Sequence, residues 1–218
     1  MPTPRGEAVV LLEVPALRRP ASGRTGPGIR SLLVLGHGAG GDVDTADLVA
    51  VRDAALGAGV IVARVTQPYR VLGRRSPPPA ATLDEAWVAA VSAIRDQVAA
   101  LAAGRKDVAP DLPLVVGGRS SGARVACRTG RGLGAVGAVA LAFPLHPPGR
   151  PESSRAGELD PALPTLVVNG DRDPFGVPVA AGAVEVLVRP GERHDLRKDP
   201  AAVGEAVAAW LRDHGWAA

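Results

Sequence analysis

The spacing Gly118-x-Ser120-x-Gly122 places a hydroxyl between two glycines, after the apolar run Leu114–Gly117 and before a helix-compatible run starting at Ser121. Acyl transfer requires such an arrangement. A sharp strand-to-helix turn lifts the central serine into an exposed, strained position, and the residues two before and two after it must be small because the turn brings their backbones together. The free N–H groups opening the helix then face a developing negative charge. A glycine-rich turn without chemistry is the plainer interpretation of the same letters, but the flanking strand and helix favour the chemical one. Ser121 is the second candidate nucleophile, although centring the motif on it puts Arg119 where a small residue belongs.

A serine hydroxyl is a weak nucleophile until a base takes its proton and a third group orients that base. Two turns downstream carry such groups, in the order Ser, Asp, His that this architecture expects. Asn169-Gly170-Asp171-Arg172-Asp173-Pro174-Phe175 follows the run Thr165–Val168 and holds two carboxylates. Pro190-Gly191-Glu192-Arg193-His194-Asp195-Leu196 follows Val184–Arg189 and holds His194. Both turns sit where open α/β sheets keep their sites, at the carboxyl ends of strands. On the residues alone, Asp171 and Asp173 are both candidates for the orienting acid. Of the other histidines, His37 lies in a glycine-rich turn and is expected to order backbone. His146, in Pro144–Gly149, is expected to overhang the site or lie at the surface, and His214 ends the last helix and is expected to be exposed.

Gly36-His37-Gly38-Ala39-Gly40-Gly41 follows the run Ser31–Leu35. In a hydrolase it would present the N–H of Ala39 opposite the nucleophile, making a two-donor oxyanion hole with the N–H of Ser121. His37, Gly38, Arg119, His146 and Phe175 are the candidate substrate contacts. The same letters satisfy G-x-G-x-x-G, the dinucleotide-binding pattern, which also needs a ribose-binding acid about 20 residues on at the end of the next strand. That strand, Val60–Val65, is followed by Thr66-Gln67 and offers no acid, only Arg64 for a 2′-phosphate. An NADP-binding oxidoreductase is therefore a lesser alternative, and it leaves the serine turn and His194 without a purpose. Neither glycine run continues into Gly-Lys-Ser/Thr, which excludes a P-loop.

These turns must be held by a framework. Seven apolar, β-branched runs read as strands: Glu7–Val14, Ser31–Leu35, Val60–Val65, Pro113–Gly117, Val136–Ala142, Thr165–Val168 and Val184–Arg189. Several lack polar alternation, as strands buried on both faces do. Helical patterns lie between them: Thr45–Leu56 after the acidic start Asp42 and Asp44, then Leu83, Trp87, Val91, Ile94, Val98 and Leu101 at helical spacing, then Val203 to Leu211 closing near Gly215. Alternating strands and helices predict a mostly parallel sheet, with the first strand a plausible antiparallel edge. The stretches Pro15–Arg30, Pro68–Ala80 and Pro144–Pro164 read as loops, and Pro77-Pro78-Pro79 excludes helix or central strand within the second.

The chain has 218 residues, 46% apolar and 22% charged, enough for one substantial core and too apolar for disorder; one domain spanning 1–218 is expected. No apolar run reaches the ~20 residues of a membrane span, and the N-terminus shows no signal-peptide cleavage pattern. One cysteine, Cys127, rules out an internal disulfide and a cysteine-built metal site. The pI near 9.7 hides a net charge of only +3. The densest basic stretches, Arg18-Arg19 and Arg70 to Arg75, fall in loops, and aromatics make up 3% of residues, so nucleic-acid binding is not expected. The charges of Arg70, Arg74 and Arg75 are expected to be solvated rather than to select an anionic substrate. A cytoplasmic globule is expected.

The segments GHGAGG (36–41), GGRSSGAR (117–124), NGDRDPFG (169–176) and GERHDL (191–196), each after a strand, resemble the α/β-hydrolase superfamily over nearly the whole chain. The nearest resemblance is to small lidless members related to dienelactone hydrolases. GGRSSGAR, FPLHPPG (143–149) and DRDPFG (171–176) are similar to a bacterial group that shares a hydrolase-like domain with a subunit of an animal non-specific-lethal histone acetyltransferase complex. The resemblance implies a single-domain α/β-hydrolase fold: a mostly parallel sheet of about seven strands flanked by helices, with no large lid. It also implies Ser120 as nucleophile, His194 as base and Asp173, three residues after Gly170, as acid, with Asp171 second. Dienelactone hydrolases carry cysteine at the elbow, so their substrate does not transfer. The short connection between Asp173 and the last strand leaves no room for a full helix, and Pro144–Pro164 is too short for a large lid, which together predict an open cleft. The expected activity is cleavage of small-molecule carboxylic esters or thioesters of small to medium acyl groups, with no metal, organic cofactor, nucleic-acid or membrane partner. Because relatives of this kind include members without established activity, a non-catalytic interaction domain is the alternative.

Overall fold

A computed structural model of the chain describes residues 1–16 and 28–218; Arg18-Arg19 and most of the loop expected over Pro15–Arg30 lie outside the described residues. The elements, in order, are β1 (Pro2–Thr3), β2 (Gly6–Glu7), β3 (Val9–Glu13), β4 (Ser31–Gly36), α1 (Ala46–Gly57), β5 (Val60–Thr66), α2 (Pro68–Val71), α3 (Ala80–Ala102), β6 (Leu114–Arg119), α4 (Ser121–Gly130), β7 (Gly137–Leu141), a 3₁₀ turn (Ala156–Glu158), β8 (Thr165–Gly170), β9 (Val184–Arg189) and α5 (Pro200–Asp213). The main sheet has seven strands in the order β3-β5-β4-β6-β7-β8-β9, while β1 and β2 form a small hairpin. Every pair in the main sheet is parallel except β3 with β5, which makes β3 the antiparallel edge.

Strands β4 to β8 are buried on both faces almost throughout, the reason their sequences read as continuous apolar runs. On one face α3 and α4 close over the sheet, with Trp87, Val91, Ile94, Val125 and Ala126 packed on Leu32, Ile61 and Val116. On the other, α1 and α5 set Leu48, Val51, Val203, Val207 and Leu211 against Leu33, Val62, Val115 and Val139. Helices on both faces are what a parallel sheet needs, since both of its surfaces must be kept from water. No large lid stands over the carboxyl edge among the described residues, and β8 connects to β9 without a helix. No described helix is long and apolar enough to cross a membrane.

Three local expectations are corrected. The loop over Pro68–Ala80 contains the helical turn α2, which Pro68 starts at its first position, where a missing N–H costs nothing. Helix α1 begins just after the acidic residues, with Thr45 its N-cap without a side-chain bond and Asp44 paired with Arg64. Arg64 is 4% exposed and engages Glu13, Asp44 and the Val43 carbonyl, so it has no donor to offer a nucleotide phosphate. His214 is half-buried, stacked on Trp216 with ring centres 4.6 Å apart and tilted against Trp210 at 4.5 Å.

Candidate active site

The turn between β6 and α4 is held in a conformation that side chains resist. Ser120 has φ 53° and ψ −107°, outside the helical and extended basins. Such strain persists only where the surroundings enforce it. Here they do: a Cβ on Gly118 or on Gly122 would stand 2.4 Å from the carbonyl oxygen of Gly36 at the end of β4. The two glycines let the turn press against its neighbouring strand, and the Ser120 N–H is fixed by the Leu141 carbonyl at 2.8 Å.

Three distant turns converge on that serine. His194 Nε2 lies 2.9 Å from Ser120 Oγ, and His194 Nδ1 lies 2.8 Å from Asp173 Oδ2. With Nδ1–H donating to the carboxylate, Nε2 is left to accept the serine proton. The Asp173 carboxylate is wholly buried and receives the Phe175 N–H at 2.9 Å. Asn169, with no exposure, holds the acid turn: its Nδ2 donates to the carbonyls of Phe143 (3.0 Å) and Gly176 (3.2 Å), and its Oδ1 accepts the Phe143 N–H. The Phe175 ring meets the His194 imidazole edge-on at 4.5 Å. Asp171 is exposed and accepts the Gly191 N–H at 2.7 Å, tying the acid turn to the histidine turn without approaching the imidazole pair.

His37 organises the glycine-rich turn. Its Nε2 accepts the Gln67 N–H at 3.0 Å, so Nδ1 carries the proton and donates to the Gly38 carbonyl at 2.7 Å. A trans peptide points its N–H opposite its C=O, so gripping the Gly38 oxygen aims the Ala39 N–H the other way. Gly38 itself lies beside the nucleophile: a Cβ there would be 3.6 Å from that of Ser120. Tyr69 Oη donates to the Ala39 carbonyl at 2.7 Å, and Arg70 Nε to the Gly41 carbonyl at 2.9 Å. Neither the Ala39 nor the Ser121 N–H finds a protein acceptor among the described residues. Gln67, Tyr69, Asn169 and Asp47 are the residues here that motif spacing passes over. The readable trace of Asn169 is a polar residue ending an apolar strand.

Burial chiefly holds the pKa of His37 below its ordinary 6.5; the Gly38 carbonyl opposes this, the Arg70 charge adds to it, and Asp42 opposes it least. The unfolded imidazole therefore takes a proton that the folded one refuses. Stability is lost as pH falls through about 6.5 and levels off below the folded pKa. His37→Leu is expected to remove this part of the slope between about pH 7.5 and 5.5, and to cost about 1–3 kcal/mol at pH 7.5 by stranding the Gly38 carbonyl and Gln67 N–H. Urea denaturation at the two pH values reads both effects.

Three of the expected substrate contacts are otherwise engaged, the first being His37, which is buried with both ring nitrogens occupied. Arg119 points away from open solvent and contacts Asp47 and the His194 carbonyl. His146 buttresses the acid turn: its N–H donates to the Phe175 carbonyl at 3.1 Å, and its ring lies 3.0 Å from where a Gly176 Cβ would be. Cys127 is buried, its thiol pushed up to about 12 chiefly by that burial, which makes it inert.

The family model described as alpha/beta hydrolase domain matches residues 29–191, well over half of the chain. An alpha/beta serine hydrolase without lid from Xanthomonas campestris superposes with a TM-score of 0.68 at 18% identity, covering 97% of this chain and 91% of the other. An alpha-beta serine hydrolase homologue from Coxiella burnetii gives 0.71 at 17% identity, covering 97% and 95%. A propionate-bound esterase from Thermogutta terrifontis gives 0.65 at 17% identity, covering 97% and 91%. No curated protein matches the sequence.

Proposed function

Because the chain belongs to the alpha/beta hydrolase family, we propose that it is a serine hydrolase cleaving carboxylic esters or thioesters of small to medium acyl groups through an acyl-enzyme. The observation that carries this reading is the unbroken hydrogen-bonded run from Ser120 Oγ through His194 to the buried Asp173 carboxylate. In that run Ser120 Oγ attacks the acyl carbon while its proton passes to His194 Nε2. The imidazolium that results is stabilised and kept in its tautomer by Asp173. The N–H groups of Ala39 and Ser121 receive the oxyanion, each such donor being worth about 10²–10³-fold. The tetrahedral intermediate collapses, the alcohol or thiol leaves with the proton from His194, and the acyl group stays on Ser120. Water then attacks the acyl carbon, gives a proton to His194, and releases the acid as Ser120 regains its hydrogen.

A small acyl group is supported by the propionate bound to the esterase of like fold. Phe175, whose ring meets His194 edge-on at 4.5 Å, is the candidate apolar contact for the substrate. Chromogenic p-nitrophenyl esters from acetyl to decanoyl, with Ser120→Ala as control, test the reading. Turnover that declines with acyl length and vanishes in the control is expected. A folded protein that turns over no member of the series would instead favour a non-catalytic interaction domain.

A further inference from the structure

One guanidinium brings together four parts of the molecule. Arg119 is the last residue of β6, immediately before Ser120, and its side chain runs under the site rather than into it, with 14% of its surface exposed. Its Nε lies 2.9 Å from Asp47 Oδ2 on α1, a carboxylate with no exposure. Its Nη2 donates to the backbone carbonyl of His194 at 3.0 Å. Its Nη1 stands 3.0 Å from where a Cβ on Gly38 would be. The elbow, the glycine-rich turn, the histidine loop and α1 therefore share one planar group.

The Asp47–Arg119 pair is not explained by stability. Removing two charges from water costs about as much as their attraction returns, and apolar replacements of such pairs are often neutral or better. Arg119 Nε and Asp47 Oδ2 lie 2.9 Å apart as an ion pair, but neither makes a hydrogen bond among the described residues. Asp47 Oδ1 takes the Leu48 N–H, and burial pushes the Asp47 pKa up against the opposing pull of Arg119. The contact is a charge pairing at 2.9 Å without an aligned N–H···O bond, and it holds the guanidinium against α1 while Nη2 makes the directed bond to the His194 carbonyl.

That carbonyl needs an anchor. His194 sits in the irregular segment between β9 and α5, where Leu196 adopts φ 47°. No other described donor reaches the His194 oxygen. The imidazole must nonetheless meet both Ser120 and Asp173 at hydrogen-bonding distance, and a displacement of about 1 Å is enough to cost about 10²-fold.

We propose that Arg119 is a positioning residue: braced by the buried carboxylate of Asp47, it holds the His194 backbone and so sets the imidazole over Ser120. This rests on the serine-hydrolase reading for its kinetic consequence, but not for its structural one. Arg119→Met alone strands the buried Asp47 carboxylate and risks unfolding, so the decisive variant is Asp47→Leu/Arg119→Met, which removes both charges together. Two measurements are made on it: kcat and KM for the best p-nitrophenyl ester, and the downfield proton resonance of His194 Nδ1–H in its bond to Asp173. The double variant is expected to melt like the parent, lose about 10–10²-fold in kcat with KM little changed, and lose or broaden the resonance. Arg119→Lys, which keeps the charge but not the fork, is expected to recover only part of kcat. A double variant that keeps the parental kcat and resonance overturns the proposal. If the parent turns over no ester, the hydrolase reading falls and the resonance alone decides: unchanged in the double variant, it overturns the positioning role, and lost, it upholds it.

Discussion

Replacing Ser120 by alanine is expected to lower kcat for a short-chain ester by about 10⁶-fold, and replacing His194 as well is expected to cost almost nothing more. The non-additivity follows from the geometry. Ser120 Oγ and His194 Nε2 lie 2.9 Å apart and act on one proton, so removing either leaves the other without a task. What remains in each variant is binding and the backbone donors, worth about 10³–10⁴-fold over water. Effects that multiply in the double variant would mean that serine and histidine serve different steps. Steady-state rates of the two single variants and the double one decide this, with circular dichroism showing that each variant is folded.

Asp173→Asn is expected to lower kcat by about 10⁴-fold with the fold intact. The shorter backbone contact decides which way the new amide turns. The Phe175 N–H donates to Asp173 Oδ1 at 2.9 Å, against 3.4 Å from Asn169 Nδ2 to Oδ2, so the amide oxygen takes the Phe175 side and the NH₂ faces His194 Nδ1, where the second carboxylate oxygen stood. An imidazole facing a donor at Nδ1 places its proton on Nε2, and in that tautomer it cannot take the serine proton. Asp171→Asn is expected to leave kcat at the parental value, because its carbonyl oxygen still accepts the Gly191 N–H. Reversed effects of the two substitutions would move the acid to Asp171. The same two kinetic measurements therefore assign the acid directly.

The framework was the most legible part of the sequence, for a definite reason. Strands β4 to β8 are buried on both faces, so they carry long apolar runs bounded by glycine and proline. The elbow was legible because its sterics demand glycine at two fixed positions, Gly118 and Gly122, and steric demands leave letters behind. The hairpin β1–β2 has strands of two residues, too short for any period to show. The turn α2 was obscured by the prolines that follow it, although Pro68 at its first position was a usable mark. His214 was expected in solvent because it ends a helix, but Gly215 turns the chain so that Trp216 stacks on it. Asp47 shows the limit of reading by spacing: in the first turn of a helix an acid reads as favourable to the dipole. That it faces inward to Arg119 depends on how α1 lies against the elbow, and local spacing does not record it.

The most direct test of the central claim is a chemical one. The protein is treated with a fluorophosphonate, digested, and the modified peptide located by mass spectrometry. The expected result is one adduct per chain on Ser120, absent after Ser120→Ala and strongly slowed after His194→Ala, with the buried Cys127 untouched. An adduct on any other residue, or label that survives Ser120→Ala, would contradict it, as would a folded protein that never reacts.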